Sequence, residues 1–255
     1  MSAKIQSIYR YPVKGLSPES LPRVRLEAGQ TLPADRKYAI ENGPSGFDPA
    51  APAYLPKTRF LMLMRDERLA ALDTRYDDAT CTLVINGEGR ELARGDLSTP
   101  EGRLAIEAFF RRCMPGELRG PPKVLQANDH SFSDVSAKVV SIINLASVAA
   151  IEGVVGVPVH PLRFRANLYV DGWPAWHEFD LLGQELAIGA ARLKVTKRIV
   201  RCAAINVDPD TGIRDLEISS TLLRTFDHVD CGVYAKVIAG GEIATGDRVT
   251  PAATG

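Results

Sequence analysis

Three short stretches of this 255-residue chain combine residue types and spacing suited to chemistry. The first, Tyr11-Pro12-Val13-Lys14-Gly15, ends a strand-like segment in a lysine and then a glycine that tolerates φ > 0. That pattern alone also describes an ordinary solvated strand end. The second, Arg163-Phe164-Arg165-Ala166-Asn167, alternates two guanidiniums and an amide with apolar residues. On a strand, period two places Arg163, Arg165 and Asn167 on one face. Such a face is either solvated or a fork-shaped site for phosphate or another planar anion. The third is Arg201-Cys202, close to Lys197 and Arg198 and followed by the turn Asn206-Val207-Asp208-Pro209-Asp210-Thr211-Gly212. Cationic neighbours stabilise a thiolate, which attacks electrophiles or binds soft metals. A free cysteine otherwise packs as a small hydrophobe.

The elements that must position these groups are mostly strands. Arg23 to Leu26 and Lys37 to Ile40 alternate polar and apolar residues, and each presents one buried face. Phe60 to Met64 is an apolar run too short for a helix, and it predicts a strand covered on both sides. Ala71 to Tyr76 and Thr80 to Asn86 flank Asp77-Asp78 as a hairpin, and Gly87-Glu88-Gly89 turns the chain again into a closed or nearly closed meander. The pattern Ser98-Thr99-Pro100-Glu101 starts a helix from Pro100 to Cys113, with Leu104, Ala108 and Phe109 inward. A second helix begins at Asn144, with Leu145, Val148 and Ala149 inward, and a third covers Thr221 to Phe226 after Ser219-Ser220. Further strands are predicted at Ala166 to Val170, Glu185 to Ile188, Arg192 to Thr196 and Val200 to Val207. A hairpin of Val233 to Ile238 with Glu242 to Thr245 closes the chain. The fold class is α+β and β-rich, with two barrel-like lobes and a cleft between them. Gly120-Pro121-Pro122 marks the boundary, giving units 1–118 and 119–253, and residues 43 to 57 form either a long loop near the cleft or a mobile lid.

Composition removes whole classes. Thirty-one basic residues balance thirty-one acidic ones, which argues against a general nucleic-acid binder but leaves room for a local basic pocket. No stretch approaches the roughly 20 apolar residues of a membrane span. The start lacks the apolar core of a secretory signal, so the expected location is cytoplasmic. Cys81, Cys113, Cys202 and Cys231 are scattered, and the four histidines form no pair at helical spacing, so neither a zinc knuckle nor a disulfide scaffold is expected. Gly-rich dinucleotide, P-loop and nucleophile-elbow motifs are absent from the sequence.

Taken in order, the three stretches resemble the MOSC-domain family. Tyr11-Pro12-Val13-Lys14 and Ala34-Asp35-Arg36 are similar to its N-terminal β-barrel domain. Phe132-Ser133-Asp134, Ala146-Ser147, Arg163 to Asn167, Arg201-Cys202, Val207 to Gly212, Cys231 to Tyr234, Gly241 and Gly246-Asp247 are similar to its MOSC domain. The architecture resembles the group containing the mitochondrial amidoxime-reducing component and its bacterial counterparts. The resemblance implies a mononuclear molybdenum on molybdopterin, with Cys202 as the protein thiolate on the metal. It implies Lys14, Arg36, Arg165 and Arg201 on the cofactor's phosphate and pterin, Asn167 at the pterin or near the metal, and Asp134 and Ser147 in cofactor-contacting segments. Cys202, Asn167 and Asp134 are then the catalytic candidates. Family association also extends to pyridoxal phosphate binding. The implied activity is oxygen removal from a small N-hydroxylated or N-oxide substrate. Electrons would come from an external ferredoxin-, flavin- or cytochrome-type donor, since no cysteine follows Cys231 to hold a cluster. A sulfur or persulfide carrier, or a cofactor-handling protein without turnover, is the alternative. The chain departs from the family at Gly15, where a serine or similar residue is common and one phosphate hydrogen bond is lost, and at Ala166, where proline is common.

Overall fold

Val140 to Asn144 is buried at every position, so its strand needs cover on both faces. That strand is at the heart of the fold in the computed structural model, which describes residues 2–252. In chain order the elements are β1 (Ala3–Arg10), β2 (Glu19–Leu21), β3 (Arg23–Leu26), β4 (Ala39–Asn42), β5 (Asp73–Asp77), β6 (Thr82–Gly87), β7 (Arg90–Asp96) and α1 (Pro100–Cys113). There follow β8 (Pro122–Leu125), β9 (Val140–Asn144), α2 (Leu145–Val155), β10 (Leu168–Asp171), α3 (His177–Asp180), β11 (Glu185–Ile188) and β12 (Ala191–Val200). The chain ends with α4 (Ile218–Phe226), β13 (Asp230–Ala239), β14 (Gly241–Ala244) and β15 (Arg248–Pro251).

Seven strands close a barrel in the order β10-β9-β13-β12-β11-β15-β1, with β1 pairing back onto β10 and β2 extending from β1. Closure removes the free edges that a seven-stranded sheet would otherwise expose. Only β9 and β10 are parallel within the ring, and α2 supplies the crossover that a parallel pair requires. Ile5, Ile142, Leu168, Leu193 and Val233 are among the residues that fill the interior. The other lobe is built from the meander β5-β6-β7, the pair β4-β8 and α1. Its core includes Leu83, Ile85, Ile106, Phe109 and Phe110. The chemistry is therefore set between a closed barrel and a helix-backed meander. The fold is α+β, β-rich and poor in helix, and β1 ties the first residues into the second lobe's barrel.

Several local expectations are corrected. Phe60 to Leu63 is buried as expected, with Met64 half-buried, but the segment forms a turn after a single bridge, because the Asp66 carboxylate accepts the Met62 amide at 3.0 Å and ends the extended run. The predicted strand Val200 to Val207 stops at Val200. Ala203–Asn206 is a 3-10 turn, and Asn206 Oδ1 accepts the Ser219 amide at 3.2 Å near the start of α4. Arg163 to Asn167 is not a strand either: Pro161–Phe164 is a 3-10 turn and Arg165 is left-handed at φ 49°. β14 leaves β13 and pairs with β3 instead, which buries Val24, Leu26 and Ile243 together. On α1 the inward residues are Ile106, Phe109 and Phe110, while Leu104 and Ala108 face solvent. On α2 they are Ser147, Val148 and Ile151, with Ala149 exposed, and α4 begins before Ser219-Ser220. The proposed end of the second unit, residue 253, lies outside the described residues.

Candidate functional site

The strand β1 runs into Tyr11-Pro12-Val13-Lys14, where backbone bonds fix the chain against the other lobe. The Lys14 amide donates to the Tyr38 carbonyl at 2.8 Å. The Lys14 ammonium is 7% exposed, donates to the Phe132 carbonyl at 2.9 Å and pairs with the Asp134 carboxylate. Burial lowers the pKa of Lys14, and Asp134 recovers only part of the loss. For Asp134 the balance falls the other way. Burial would raise its pKa, but the Lys14 ammonium, with Lys57 and Arg36, pulls it down to about 2. Gly15 follows at φ +85°, and a Cβ there would meet the Leu61 carbonyl oxygen at 3.2 Å and Leu69 Cδ1 at 3.3 Å. Backbone conformation and crowding together disfavour any side chain at this position.

Tyr11 carries a feature the sequence did not reveal. Its ring is fully buried, with the Arg36 guanidinium at 4.6 Å and the Arg165 guanidinium at 4.3 Å from its centroid. Both arginines have left-handed backbones, at φ 52° and 49°, which costs about 1–3 kcal/mol each unless the surroundings enforce it. The surroundings do so. The Arg36 amide donates to the Tyr11 carbonyl, the Arg36 carbonyl accepts from Phe132, and Arg36 Nη2 reaches the Arg165 carbonyl at 2.9 Å. Burial opposes the charge on Arg36, but neighbouring Asp35 outweighs it and raises the pKa. Burial lowers the Arg165 pKa, which is consistent with a cation that has no carboxylate partner of its own. Among the described residues the Arg165 guanidinium makes one hydrogen bond, from Nη2 to the Leu16 carbonyl at 2.7 Å, so most of its five N–H donors remain available.

Arg163, Asn167 and Ser147 have other duties. Arg163 turns away from Arg165 and makes a bidentate pair with Asp215, at 2.8 and 2.7 Å, plus a contact to Asp208 at 3.1 Å. Asp208 Oδ1 also accepts the Asp210 and Thr211 amides and so shapes the 207–212 turn. At φ +68°, Gly212 brings that turn against the other lobe, where a Cβ would be 3.1 Å from the Ala71 nitrogen. Arg214 bridges the same seam, from the Ala203 carbonyl to the Met64 carbonyl and Glu67. Asn167 lines the cavity wall, but its amide oxygen accepts the Ser141 amide and hydroxyl while its NH₂ donates to the Tyr9 carbonyl. It locks the β1–β9–β10 seam while standing on the cavity wall. Ser147 is held in the framework as well. Its buried hydroxyl donates to Glu178 and accepts the Trp176 amide, and it does not line the cavity.

The remaining site candidates converge on one cavity of about 420 Å³ between the lobes, lined by Lys14, Arg36, Asp134, Arg165, Arg201 and Cys202. Eight basic and two acidic residues line it, so a neutral chain holds a concentrated cationic cleft. Arg201 spends its fork on backbone, donating to the Cys231 carbonyl at 2.7 Å and the Phe164 carbonyl at 2.8 Å. That anchors the residue next to Cys202, whose thiol is free and half-buried. Lys57, at the end of the 43–57 loop, also faces this wall. Burial lowers its pKa, but Asp134 and the Cys202 side chain outweigh burial and hold it up. Tyr54 from the same loop donates to the Asp134 carbonyl at 3.2 Å, so the loop flanks the cleft. Tyr234 lines the cavity too, and burial raises its phenol pKa. A lysine closing an otherwise Pro/Ala/Gly-rich loop was a signal for Lys57, and Tyr234 lay in the Cys231-to-Tyr234 stretch without being singled out.

Among the described residues no three His, Cys, Asp or Glu side chains cluster to hold a metal. A metal at Cys202 would have to arrive with most of its own ligands. The fold and site thus define a barrel protein with a cationic cleft whose wall includes one free thiol. Family comparison is in accord: the MOSC domain matches residues 127–250 and the MOSC N-terminal beta barrel domain matches residues 2–112. The chain belongs to the MOSC-domain family. It is 26% identical over 236 residues to Mitochondrial amidoxime reducing component 2 of Rattus norvegicus, covering 86% of this chain and 65% of that protein, just under two thirds of its length. Among solved structures, the YUAD protein of Bacillus subtilis matches at TM-score 0.46 and 15% identity over 98% of this chain and 94% of that one. YiiM of Geobacillus stearothermophilus matches at 0.36 and 18% identity over 44% and 53%. Among the described residues no helix is long and apolar enough to cross a membrane.

Proposed function

We propose that this chain is a molybdenum-cofactor oxidoreductase that removes oxygen from N-hydroxylated or N-oxide compounds. The observation carrying this reading is the free Cys202 thiol on the wall of a cleft lined by Lys14, Arg36, Arg165 and Arg201. Those residues fit a cofactor that brings an anionic phosphate and a metal already rich in sulfur ligands. When bound, molybdenum supplies two-electron oxygen-atom removal, so R–NH–OH plus two electrons and two protons gives R–NH₂ and water.

The protein's part in this reading is binding and positioning. Arg165 and Arg36, held on either side of Tyr11, present N–H donors to phosphate, and Lys14 adds a point charge beside them. Cys202 offers a soft donor on backbone fixed by Arg201. Asp134 is unsuited to general acid work: with a pKa of about 2 it holds a proton in roughly one molecule in 10⁵ at pH 7. It acts as counter-ion to Lys14. Tyr234 stays a neutral phenol and can donate a hydrogen bond into the cavity. The reading includes a cytoplasmic location, an external electron donor, and a division into units 1–118 and 119–253. Metal analysis of protein expressed with functional cofactor biosynthesis tests it. Molybdenum bound in wild type and lost in Cys202→Ala supports the reading. A persulfide on Cys202 with no molybdenum, read by mass spectrometry as about 32 Da extra (one sulfur), replaces it with the sulfur-carrier alternative.

A further inference from the structure

The cavity has more positive charge than the cofactor reading uses. Lys14, Arg36, Arg165 and Arg201 belong to that reading, and Arg163 is neutralised by Asp208 and Asp215. Lys197 and Arg198 on β12 remain, with Lys57 from the other lobe. A regular strand sends consecutive side chains to opposite faces, yet Lys197 and Arg198 both line the cavity. The β12–β13 register explains how. It slips between Val195 and Lys197, and again between Arg198 and Val200, so the pair is bracketed by irregularities. Bulges interrupt the hydrogen-bond ladder and re-aim side chains, and they recur beside functional sites.

The aromatic supports place the two cations further. The Lys197 ammonium lies 5.7 Å from the Tyr234 ring centroid and makes no ion pair among the described residues. The Arg198 guanidinium stacks on Phe179 at 4.2 Å and reaches Asp230 only at 4.0 Å. Both are exposed, as cations at the open side of a cavity would be. The same β12 runs directly into Arg201-Cys202, so the charges and the thiol share one wall.

We infer that Lys197 and Arg198 form an anion subsite at the cavity mouth that selects N-oxygenated substrates bearing a carboxylate or phosphate group. This inference rests on the proposed reductase function for its chemistry, and on the register shifts that flank Lys197 and Arg198 for its geometry. Charges at such a rim steer ligands and fix their orientation, and salt weakens them.

The test compares an aryl amidoxime carrying a para-carboxylate with the same skeleton carrying a para-carboxamide, using the molybdenum-loaded protein with a chemically reduced viologen dye as the two-electron source. Wild type is expected to favour the carboxylate in kcat/KM by about tenfold at low ionic strength, with the preference shrinking as salt is added. Lys197→Gln with Arg198→Gln should bring the ratio to about one, and Lys197→Gln alone should lower it severalfold. The single variant breaks no ion pair, so it carries the test if the double variant folds poorly. Equal kcat/KM for both substrates in wild type, or a ratio the variants leave unchanged, overturns the inference. If neither substrate turns over, the reductase reading fails by itself. Calorimetry then decides the subsite: the carboxylate should bind more tightly than the carboxamide and lose that advantage in Lys197→Gln, and equal binding overturns it.

Discussion

Replacing Tyr11 probes how this cleft holds two like charges together. Tyr11→Phe keeps the ring between Arg36 and Arg165 and removes only the hydroxyl, whose bond to the Ala166 carbonyl is long at 3.3 Å. The expected cost is about 0.5–1.5 kcal/mol, the net value of one hydrogen bond. Tyr11→Leu removes both cation–π contacts, at 4.6 and 4.3 Å, in a fully buried setting. Each such contact is worth about 1–2 kcal/mol when desolvated. With lost packing, the total reaches about 3–5 kcal/mol, the range of large aromatic truncations. The backbone hydrogen bonds that hold the two left-handed arginines remain, but the guanidiniums lose the ring between them and should spread. Urea unfolding measures the stability difference, and calorimetric titration with inorganic phosphate measures anion binding. Tyr11→Phe should bind phosphate like wild type, while Tyr11→Leu should bind about tenfold more weakly. Equal loss of phosphate affinity in both variants would show that the hydroxyl matters and would refute the role given to the ring.

Three more outcomes follow from the same geometry. The folded-state pKa of Asp134 is depressed to about 2, so its contribution to stability is complete above the ordinary carboxylate range. It is lost as pH falls from about 4 to about 2, and Asp134→Asn should flatten the stability–pH curve in that acid window. Gly15→Ser, which restores the residue common in the family, should destabilise by about 1–3 kcal/mol in thermal or urea unfolding, because φ is +85° and Leu61 stands in the way. It should not improve cofactor retention. Ser147→Ala should cost about 1–3 kcal/mol by unpairing the Trp176 amide and weakening the Glu178 network, while molybdenum content per folded chain stays at the wild-type level.

How much was legible depended on whether the cause was local. The helix at Pro100–Cys113 was readable to the residue because Thr99 caps it, accepting from the Gly102 amide, and Pro115-Gly116 follow its end. Its buried face was misread, since the meander receives Phe109 with Ile106 and Phe110 and leaves Leu104 in solvent. Alternation at Arg163, Arg165 and Asn167 suggested one polar face, but the left-handed backbone of Arg165 sends the three side chains to three different partners. The Tyr11 stack joins arginines far apart in sequence, so no local pattern could announce it. Lys197 and Arg198 were noted as neighbours of Cys202, yet their common direction depends on shifts in register with a distant strand. The resemblance pointed to Lys14, Arg36, Arg165, Arg201, Asp134 and Cys202, and the fold gathers them in one cleft. Ser147 and the Asn167 amide are bound into the surrounding framework.

The central claim is that the Cys202 thiol holds a molybdenum centre in this cleft. Elemental analysis of wild type and Cys202→Ala, both purified from cells making the complete cofactor, tests it most directly. The account predicts about one molybdenum per wild-type chain and a loss of most of it in the variant, which retains its fold but has no soft protein donor. Equal molybdenum in the two proteins, or none in wild type, would contradict it.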